Sequence, residues 1–241
     1  LINNKGCFSF LLNRSADTND DFYRHQMESN DDFDNSIQET SYLGHDAFQT
    51  KFEYKLDPKG RQTAEIGLKS LDDLIPFTQL FNDQIDSVIV NRNGDETTYE
   101  RQFISEITIK DKTIKEWSLD TIVNKQTKKK VTAYILSNTN YEIAFLTQQT
   151  TDGESVLRLN NEVPRLYFTF PLIGTEEIGI PFIINSDKFD PRVERDGVYL
   201  KDIDDEDDQT TNRQILREAL LDASVVFSAL IEERKINGEY E

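Results

Sequence analysis

The fold is organised around the segment from Phe170 to Leu200, which reads FPLIGTEEIGIPFIINSDKFDPRVERDGVYL. Its apolar run from Ile180 to Ile184 predicts a central strand. The residues that follow, Asn185 to Gly197, are rich in turn formers and predict a loop that carries Arg192 and Arg195. A permanently charged guanidinium on a loop after a buried strand suits recognition of a phosphate or a carboxylate. The alternative is that the two arginines pair with neighbouring acids, such as Asp187, Asp190 and Glu194.

Composition restricts the class of protein. The chain has 241 residues, of which 37% are hydrophobic and 30% are charged, as expected for a globular but polar protein. Its formal net charge of −18 repels nucleic-acid phosphates and acidic membranes, so we expect neither a nucleic-acid nor a membrane partner. No apolar run approaches the ~18 residues that a membrane-spanning helix needs.

The cysteine and histidine content limits the chemistry. The single cysteine, Cys7, excludes a disulfide framework and indicates a reducing compartment, which we take to be the cytoplasm. Together with two histidines, His25 and His45, it cannot build a zinc site of the usual kind, and we expect no metal site. Nothing ties either histidine to a nucleophile, and the sequence has no Gly-x-Ser-x-Gly elbow, which argues against a hydrolase.

The start of the chain combines two strand patterns with an acidic stretch. Lys5 to Asn13 predicts a strand, and residues 47–56 alternate apolar and polar side chains as a half-buried strand does. Between them, residues 14–46 predict a mobile acidic surface insertion with a short helix around Phe22 to Gln38. Because Leu1 is not Met and a strand pattern begins almost at once, we expect a piece of a longer protein.

A helix and a hairpin follow. Asp57-Pro58 predicts a helix start with Asp57 as N-cap. The helical apolar spacing continues up to Pro76, which predicts a break or a kink, and Phe77 to Phe81 predicts a brief continuation of the helix. Ile85 to Val90 predicts a strand, and Asn93-Gly94 predicts a hairpin turn after it.

The rest of the chain predicts an antiparallel sheet and a long helix. Ile114 to Val123, with Trp117, predicts a short helix or a buried connection. Asp202 to Asp208 fails the residue pattern of a calcium loop and predicts a flexible acidic loop. Thr211 to Gln214 predicts a capping box that starts the helix, whose apolar stripe packs in the core or, alternatively, binds a partner. The predicted strands are 97–103, 104–110, 130–137, 141–149, 154–159 and 165–172.

Gly174-Thr-Glu-Glu-Ile-Gly179 has the glycine spacing of a phosphate-binding loop. Ile180 and Pro181 stand where that loop has Lys and Ser or Thr. The segment therefore lacks the ammonium that contacts the phosphates and the hydroxyl that binds Mg²⁺, and we reject it as a phosphate loop.

The order of several motifs resembles the GHKL superfamily of ATPases, which holds gyrases, heat-shock-90-type chaperones, histidine kinases and MutL-type repair proteins. IPFIINSDKFDPRVERDGVYL, followed by a long helix, is similar to the middle (transducer) segment of the chaperone-like, sacsin-like branch. FQTKFEYKLD resembles the strand that carries the superfamily's Gly-Thr motif beside the adenine, and IPFTQLFNDQIDSVIV resembles the helix and strand that close its nucleotide-binding domain. The resemblance covers most of residues 1–235.

The resemblance implies roles for four residues. Thr50 would contact the adenine directly or through water. Arg195 would be the loop arginine that reaches the γ-phosphate and stabilises charge during phosphoryl transfer. Arg192 is a second candidate for that role, and Asn185 would fix the loop.

The resemblance also implies the domain organisation and the cofactors. The fold would be α+β, with residues 1–92 forming the end of an α/β-sandwich nucleotide-binding domain and residues 93–241 a transducer-like mixed sheet with a long C-terminal helix. The cofactors would be ATP and Mg²⁺, bound in the parent protein and not tightly by this chain alone. The partners would be ATP, held by the N-terminal part of the parent, and a client or partner protein, with a homodimer in the parent.

The chain departs from the superfamily at its nucleotide-binding motifs. The helix with Glu and Asn, the Asp-x-Gly-x-Gly turn and the Gly-x-x-Gly-x-Gly lid element are not in this sequence, and all three would precede Leu1 in the parent. Gln49 also stands where the family often has Gly before Thr50. We therefore expect the isolated chain not to hydrolyse ATP.

Two other functions stay open at this point. The first is a non-enzymatic, acidic protein-interaction module whose final helix docks a partner. The second is a nucleic-acid-processing ATPase of the MutL kind, which the net charge of −18 disfavours.

Overall fold

The computed structural model describes residues 2–3, 16–37, 50–51, 54–151, 153–200, 207–233 and 236. The fold is α+β, as the sequence predicts. Two compact units, Leu1–Thr63 and Ala64–Glu241, make up the chain. Among the described residues, no helix has the length and apolar character needed to cross a membrane.

The first unit contains a strand pair and a helix. Strand β1 (Ile2–Asn3) pairs antiparallel with β2 (Thr50–Lys51). Helix α1 (Asn19–Ser36) begins after Thr18, whose hydroxyl accepts a hydrogen bond from the backbone N–H of Asp21 at 3.1 Å. The helix predicted around Phe22 to Gln38 is therefore confirmed, although it begins three residues earlier and ends two residues earlier. The predicted strand at 5–13 and half of the one at 47–56 lie outside the described residues.

Helix α2 (Pro58–Phe81) starts where the sequence predicts. Asp57 Oδ1 accepts a hydrogen bond from the backbone N–H of Gly60 at 2.6 Å, which confirms Asp57 as the N-cap. Of the break or kink predicted at Pro76, the break is wrong, and the helix continues over Phe77 to Phe81 as predicted. Burial of Phe77 and Phe81 against the sheet offsets the backbone hydrogen bond that a proline removes.

In the described part of the chain, nine strands form one mixed sheet in the order β10-β9-β11-β7-β6-β5-β4-β3, with β8 also paired to β7. Strands β3 to β7 are an antiparallel meander, while β11 runs parallel to β9. The strands are β3 (Ser87–Arg92), β4 (Asp95–Ile109), β5 (Lys112–Val123), β6 (Gln126–Ser137), β7 (Glu142–Thr150), β8 (Gly153–Val156), β9 (Leu166–Phe168), β10 (Phe170–Pro171) and β11 (Ile183–Asn185).

The structure differs from the predictions for the segments that form β5 and β4. The helix or buried connection predicted at 114–123 is wrong, because β5 is paired along its length with β4 on one side and β6 on the other. Two strands were predicted at 97–103 and 104–110, but β4 is continuous and has a register shift between Phe103 and Ser105. One extra residue therefore bends the strand without ending it.

The hairpin of β3 and β4 has the turn that the sequence predicts. Asn93 and Gly94 join the two strands with φ values of 54° and 95°, the left-handed geometry of the predicted hairpin turn. The two compact units divide between Thr63 and Ala64, upstream of this hairpin.

The centre of the sheet, at β7 and β11, is buried on both faces. On one face, Ile143, Phe145 and Ile184 belong to a core that includes the apolar side of the C-terminal helix. On the opposite face, Ala144 and Ile183 belong to a second core with the end of α2. Neighbouring residues of β7 and of β11 thus alternate between two cores, as the pleat of a strand requires.

The C-terminal helix α3 (Asp207–Glu232) begins before the predicted capping box. Thr211 and Gln214 lie inside the helix, so they do not cap its first turn. The helix is held to the sheet at Asp222, whose carboxylate accepts hydrogen bonds from Tyr141 Oη at 2.8 Å and Lys112 Nζ at 2.9 Å. Burial raises the pKa of Asp222, but the Lys112 and Tyr141 hydrogen bonds outweigh burial and leave it below its ordinary value.

Alanine at either apolar residue of β11 tests the two-core arrangement. Ile183→Ala and Ile184→Ala should each lower the free energy of unfolding by about 2–5 kcal/mol, because each leaves a cavity in a different core. Denaturant unfolding followed by circular dichroism measures both. Ile89→Ala, at an exposed position of β3, is the control and should change it by less than about 0.5 kcal/mol. If one of the β11 variants behaved like the control, one face of the sheet would be exposed.

Asp222→Asn tests the attachment of α3 through its pH dependence. Because the folded-state pKa of Asp222 is lowered, its contribution to stability is complete above the ordinary value of 3.8 and is lost as pH falls below it. Urea unfolding should therefore find the variant less stable than the wild type at pH 6, with the difference shrinking below pH 3.8. A difference that stays constant with pH would contradict the charged hydrogen bond.

Candidate functional site

The candidate site is the loop of residues 186–200 after β11, here named the arginine loop. Its two limbs are residues 186–191 and 197–200. Both are anchored in the core that includes α3, through Phe189 and Val198. Pro191 forms an isolated β-bridge with Val198, and the backbone N–H of Arg192 donates to the carbonyl of Gly197 at 2.9 Å. The tip, Arg192 to Asp196, therefore projects from two buried and cross-linked limbs.

A buried asparagine of α3 joins the two limbs. Asn212 is fully buried, and its Oδ1 accepts a hydrogen bond from the backbone N–H of Asp190 at 2.9 Å. Its Nδ2 donates to the carbonyl of Asp190 at 3.1 Å and to that of Tyr199 at 3.2 Å. This role of Asn212 is not visible in the sequence, where its position inside the predicted capping box suggests only a helix start.

The glycine-rich turn supports the tip of the loop. Gly174 has a φ of 118°, and a Cβ atom there would lie 2.6 Å from the carbonyl oxygen of Asp196. The carboxylate of Glu176 accepts hydrogen bonds from the backbone N–H of Gly174 at 2.8 and 3.0 Å. In the structure the first glycine of the rejected phosphate-loop pattern thus allows close packing against the arginine loop.

Arg195 has an unusual conformation and unusual contacts. Its φ is 55°, in the left-handed region that non-glycine residues seldom adopt, and its backbone N–H donates to the carbonyl of Arg192 at 2.8 Å. Its Nη2 donates to the carbonyl of Phe168 at 3.3 Å, and its Cζ lies 5.4 Å from the centre of the Phe168 ring. Within the described part of the chain, Arg195 forms no salt bridge. Its charge is therefore held by a ring and a carbonyl, without a neutralising carboxylate.

Arg192 differs from Arg195. Its Nε lies 3.1 Å from Asp196 Oδ1, and the two groups form an ion pair that lacks hydrogen-bond geometry. The local pairing that the sequence left open thus occurs at Arg192, although with a different acid from those considered. Of the two loop arginines, Arg195 is the better placed to meet an external anion.

Asn185 lies behind Arg195 and is buried. Its Oδ1 accepts a hydrogen bond from the backbone N–H of Thr169 at 2.9 Å, and its Nδ2 donates to Glu142 Oε2 at 2.9 Å. The N–H of Thr169 and the carbonyl of Phe168 belong to one peptide group. Asn185 therefore orients the same peptide group that accepts the hydrogen bond from Arg195, and Thr169 adopts a left-handed φ of 63° there.

Thr50, the predicted adenine contact, lies in the first compact unit. Its backbone is part of β2 and pairs with Asn3 of β1, while its side chain lies outside what the structure describes. The described contacts bring together Arg195 and Asn185, with Arg192 on the same loop, around the ends of β9 and β11. Within the described residues, no group of three or more His, Cys, Asp or Glu side chains could hold a metal ion.

Comparison of the chain with protein-family models, curated proteins and solved structures finds no match.

Gly174→Ala tests the packing of the turn against the arginine loop. The variant should lower the free energy of unfolding by about 1–3 kcal/mol, because the new Cβ meets the Asp196 carbonyl and the left-handed φ is strained. Thermal or urea unfolding gives the value. Gly179→Ala is the matched control, since no atom lies within 4 Å of its Cβ position, and it should change stability by less than about 0.5 kcal/mol. Equal effects of the two substitutions would refute the close approach.

Proposed function

We propose that this chain is part of an ATP-dependent, chaperone-like ATPase of the GHKL superfamily, in which Arg195 contacts the γ-phosphate. The observation that supports this proposal is the exposed guanidinium of Arg195, held on a strained backbone beside Phe168 and not paired with an acid in the described residues. Strained backbone at an exposed charged residue is a feature of functional sites. The motif order IPFIINSDKFDPRVERDGVYL adds the resemblance to the transducer segment.

The donor set of Arg195 fits a phosphate group. A guanidinium has five N–H donors, and one of the Nη2 donors is used on the Phe168 carbonyl. The remaining donors suit the oxygens of a terminal phosphate, where a fixed positive charge stabilises the charge that develops during transfer. When bound, ATP with Mg²⁺ supplies the phosphoryl group. In the proposal both are held by the N-terminal part of the parent, with Thr50 beside the adenine.

Asn185 and Arg192 have separate places in this mechanism. Asn185 orients the peptide group that receives the Arg195 hydrogen bond, so it acts on the site through the backbone. Arg192 is a weaker phosphate ligand because Asp196 already lies against it. Contact of Arg195 with the γ-phosphate would then couple ATP binding and hydrolysis to conformational change. A client protein, a homodimeric parent and a cytoplasmic location complete the proposal.

A non-enzymatic interaction module is the second candidate. It is favoured by the apolar side chains that α3 leaves exposed in the chain as described, namely Leu220, Leu221, Val225 and Ile231. On this alternative α3 would dock a partner and Arg195 would have no role in catalysis.

Arginine substitutions in the full-length parent test the proposed function. Arg195→Ala should lower kcat for ATP hydrolysis at least about 100-fold with a smaller change in KM, because the interaction strengthens in the transition state. Arg192→Ala should have a smaller effect, since Arg192 is paired with Asp196. Arg217→Ala, on the exposed side of α3, is the control and should leave both constants unchanged.

Three outcomes would refute the proposal. A parent that hydrolyses no ATP, or an Arg195→Ala variant that hydrolyses it at the wild-type rate, would favour the interaction module. The third outcome is sub-micromolar binding of a non-hydrolysable ATP analogue to the isolated chain in calorimetry, since the nucleotide would then need no further polypeptide.

A further inference from the structure

The arginine loop is held from outside by α3 as well as by its own contacts. Asn212 binds the backbone of both limbs, at Asp190 and at Tyr199. The next helix residue, Arg213, donates from Nε to the carbonyl of Leu200 at 2.8 Å. Two consecutive residues of one helix thus secure the limbs on either side of the tip that carries Arg195.

Removal of the Asn212 side chain would destabilise the backbone of the arginine loop. Asn212 is 0% exposed, so water cannot easily replace its amide when the side chain is removed. The N–H and carbonyl groups that it satisfies would be left without those partners, and buried polar groups without partners are unfavourable. The backbone of the loop would relax to satisfy them elsewhere.

Such a relaxation would reach Arg195. Between Asp190 and Tyr199 the chain is held by the Pro191–Val198 bridge and by the hydrogen bond from Arg192 N–H to the carbonyl of Gly197. The left-handed φ of Arg195 and its position over Phe168 depend on that narrow geometry. Burial of Phe189 and Val198 keeps the limbs on the core but does not set the angle of the tip.

We propose that Asn212 is the positioning residue of Arg195: it joins both limbs of the arginine loop to α3 and thereby holds the guanidinium over Phe168. The purpose of that placement, contact with a nucleotide, rests on the proposed function; the placement itself does not. Helix α3 is also fixed to the sheet at Asp222, about 15 Å further along the helix. The loop that carries Arg195 is therefore attached to a helix that is itself held in place.

NMR on this chain tests the proposal without nucleotide. In Asn212→Ala, the backbone amides of Arg192 and Arg195 should exchange with solvent at least about tenfold faster, because their hydrogen bonds within the tip open locally. The Nε–Hε resonance of Arg195 should move toward that of the exposed Arg217 as the guanidinium leaves the Phe168 ring. The amide of Ile184, bonded to the carbonyl of Arg165 at 2.9 Å, reports any loss of global stability.

Asp222→Asn is the matched control, because it weakens the attachment of α3 at its centre and leaves the Asn212 bonds in place. It should lower global stability without moving the Arg195 resonance or accelerating the tip amides relative to Ile184. If Asn212→Ala does not fold, Asn212→Ser, which supplies a hydroxyl and leaves room for water, should show the same local acceleration.

Two results would overturn the positioning role. In the first, Asn212→Ala and Asp222→Asn change the tip amides and the Arg195 resonance equally, which would make Asn212 a contributor to stability alone. In the second, Asn212→Ala leaves both readouts at their wild-type values. Because no readout involves ATP, failure of the proposed ATPase function would leave these results unchanged, and the reverse also holds.

Discussion

Burial of β11 on both faces is the constraint on which the candidate site depends. Ile183 and Ile184 are each almost completely buried, one in the core with the end of α2 and the other in the core with α3. A three-residue strand gains little from its backbone pairing alone, so these two side chains decide its position and register. The register in turn places Asn185 opposite Glu142 and beside the turn after β9, and the arginine loop begins from that point.

A series of hydrogen bonds connects Asn185 to Arg195. Glu142 fixes the amide of Asn185, Asn185 fixes the peptide group of Phe168 and Thr169, and the carbonyl of that group receives Arg195. Two non-glycine residues in this series, Thr169 and Arg195, have left-handed backbones, each of which costs about 1 kcal/mol or more. Such strain persists only where surrounding contacts over-determine the backbone, and here the cores on both faces of β11 provide them.

The elements predicted correctly are those whose signal is local. The Asp57 cap, the Asn93-Gly94 turn and the apolar runs that form β6 and β7 each contain their own cause within a few residues. Strand β5 was missed because its apolar residues, among them Trp117, do not alternate cleanly, and only pairing with two long neighbours decides its conformation. The predicted break at Pro76 was wrong for the same reason, since tertiary burial of the residues after it is not visible locally. At the site, sequence resemblance singled out Arg195, but Phe168, which contacts its guanidinium, and Asn212, which binds the limbs of its loop, are 27 and 17 residues away in sequence and come close only through the fold.

The overall charge restricts what Arg195 can do. A chain with a net charge of −18 repels small anions, and at physiological salt one guanidinium acts over only about 8 Å. Arg195 is therefore poorly suited to capture an anion from solution, and a phosphate would reach it only when another part of the protein already holds that phosphate in place. A single arginine that is fixed in advance and has no neutralising acid among the described residues suits this use, because it contributes little to initial binding but responds strongly to charge that develops a few ångströms away. Under the proposed function, the pairing of Arg192 with Asp196 would not weaken the site. One fixed charge would be sufficient for contact with a phosphate, and a second one left unpaired beside it would repel the first.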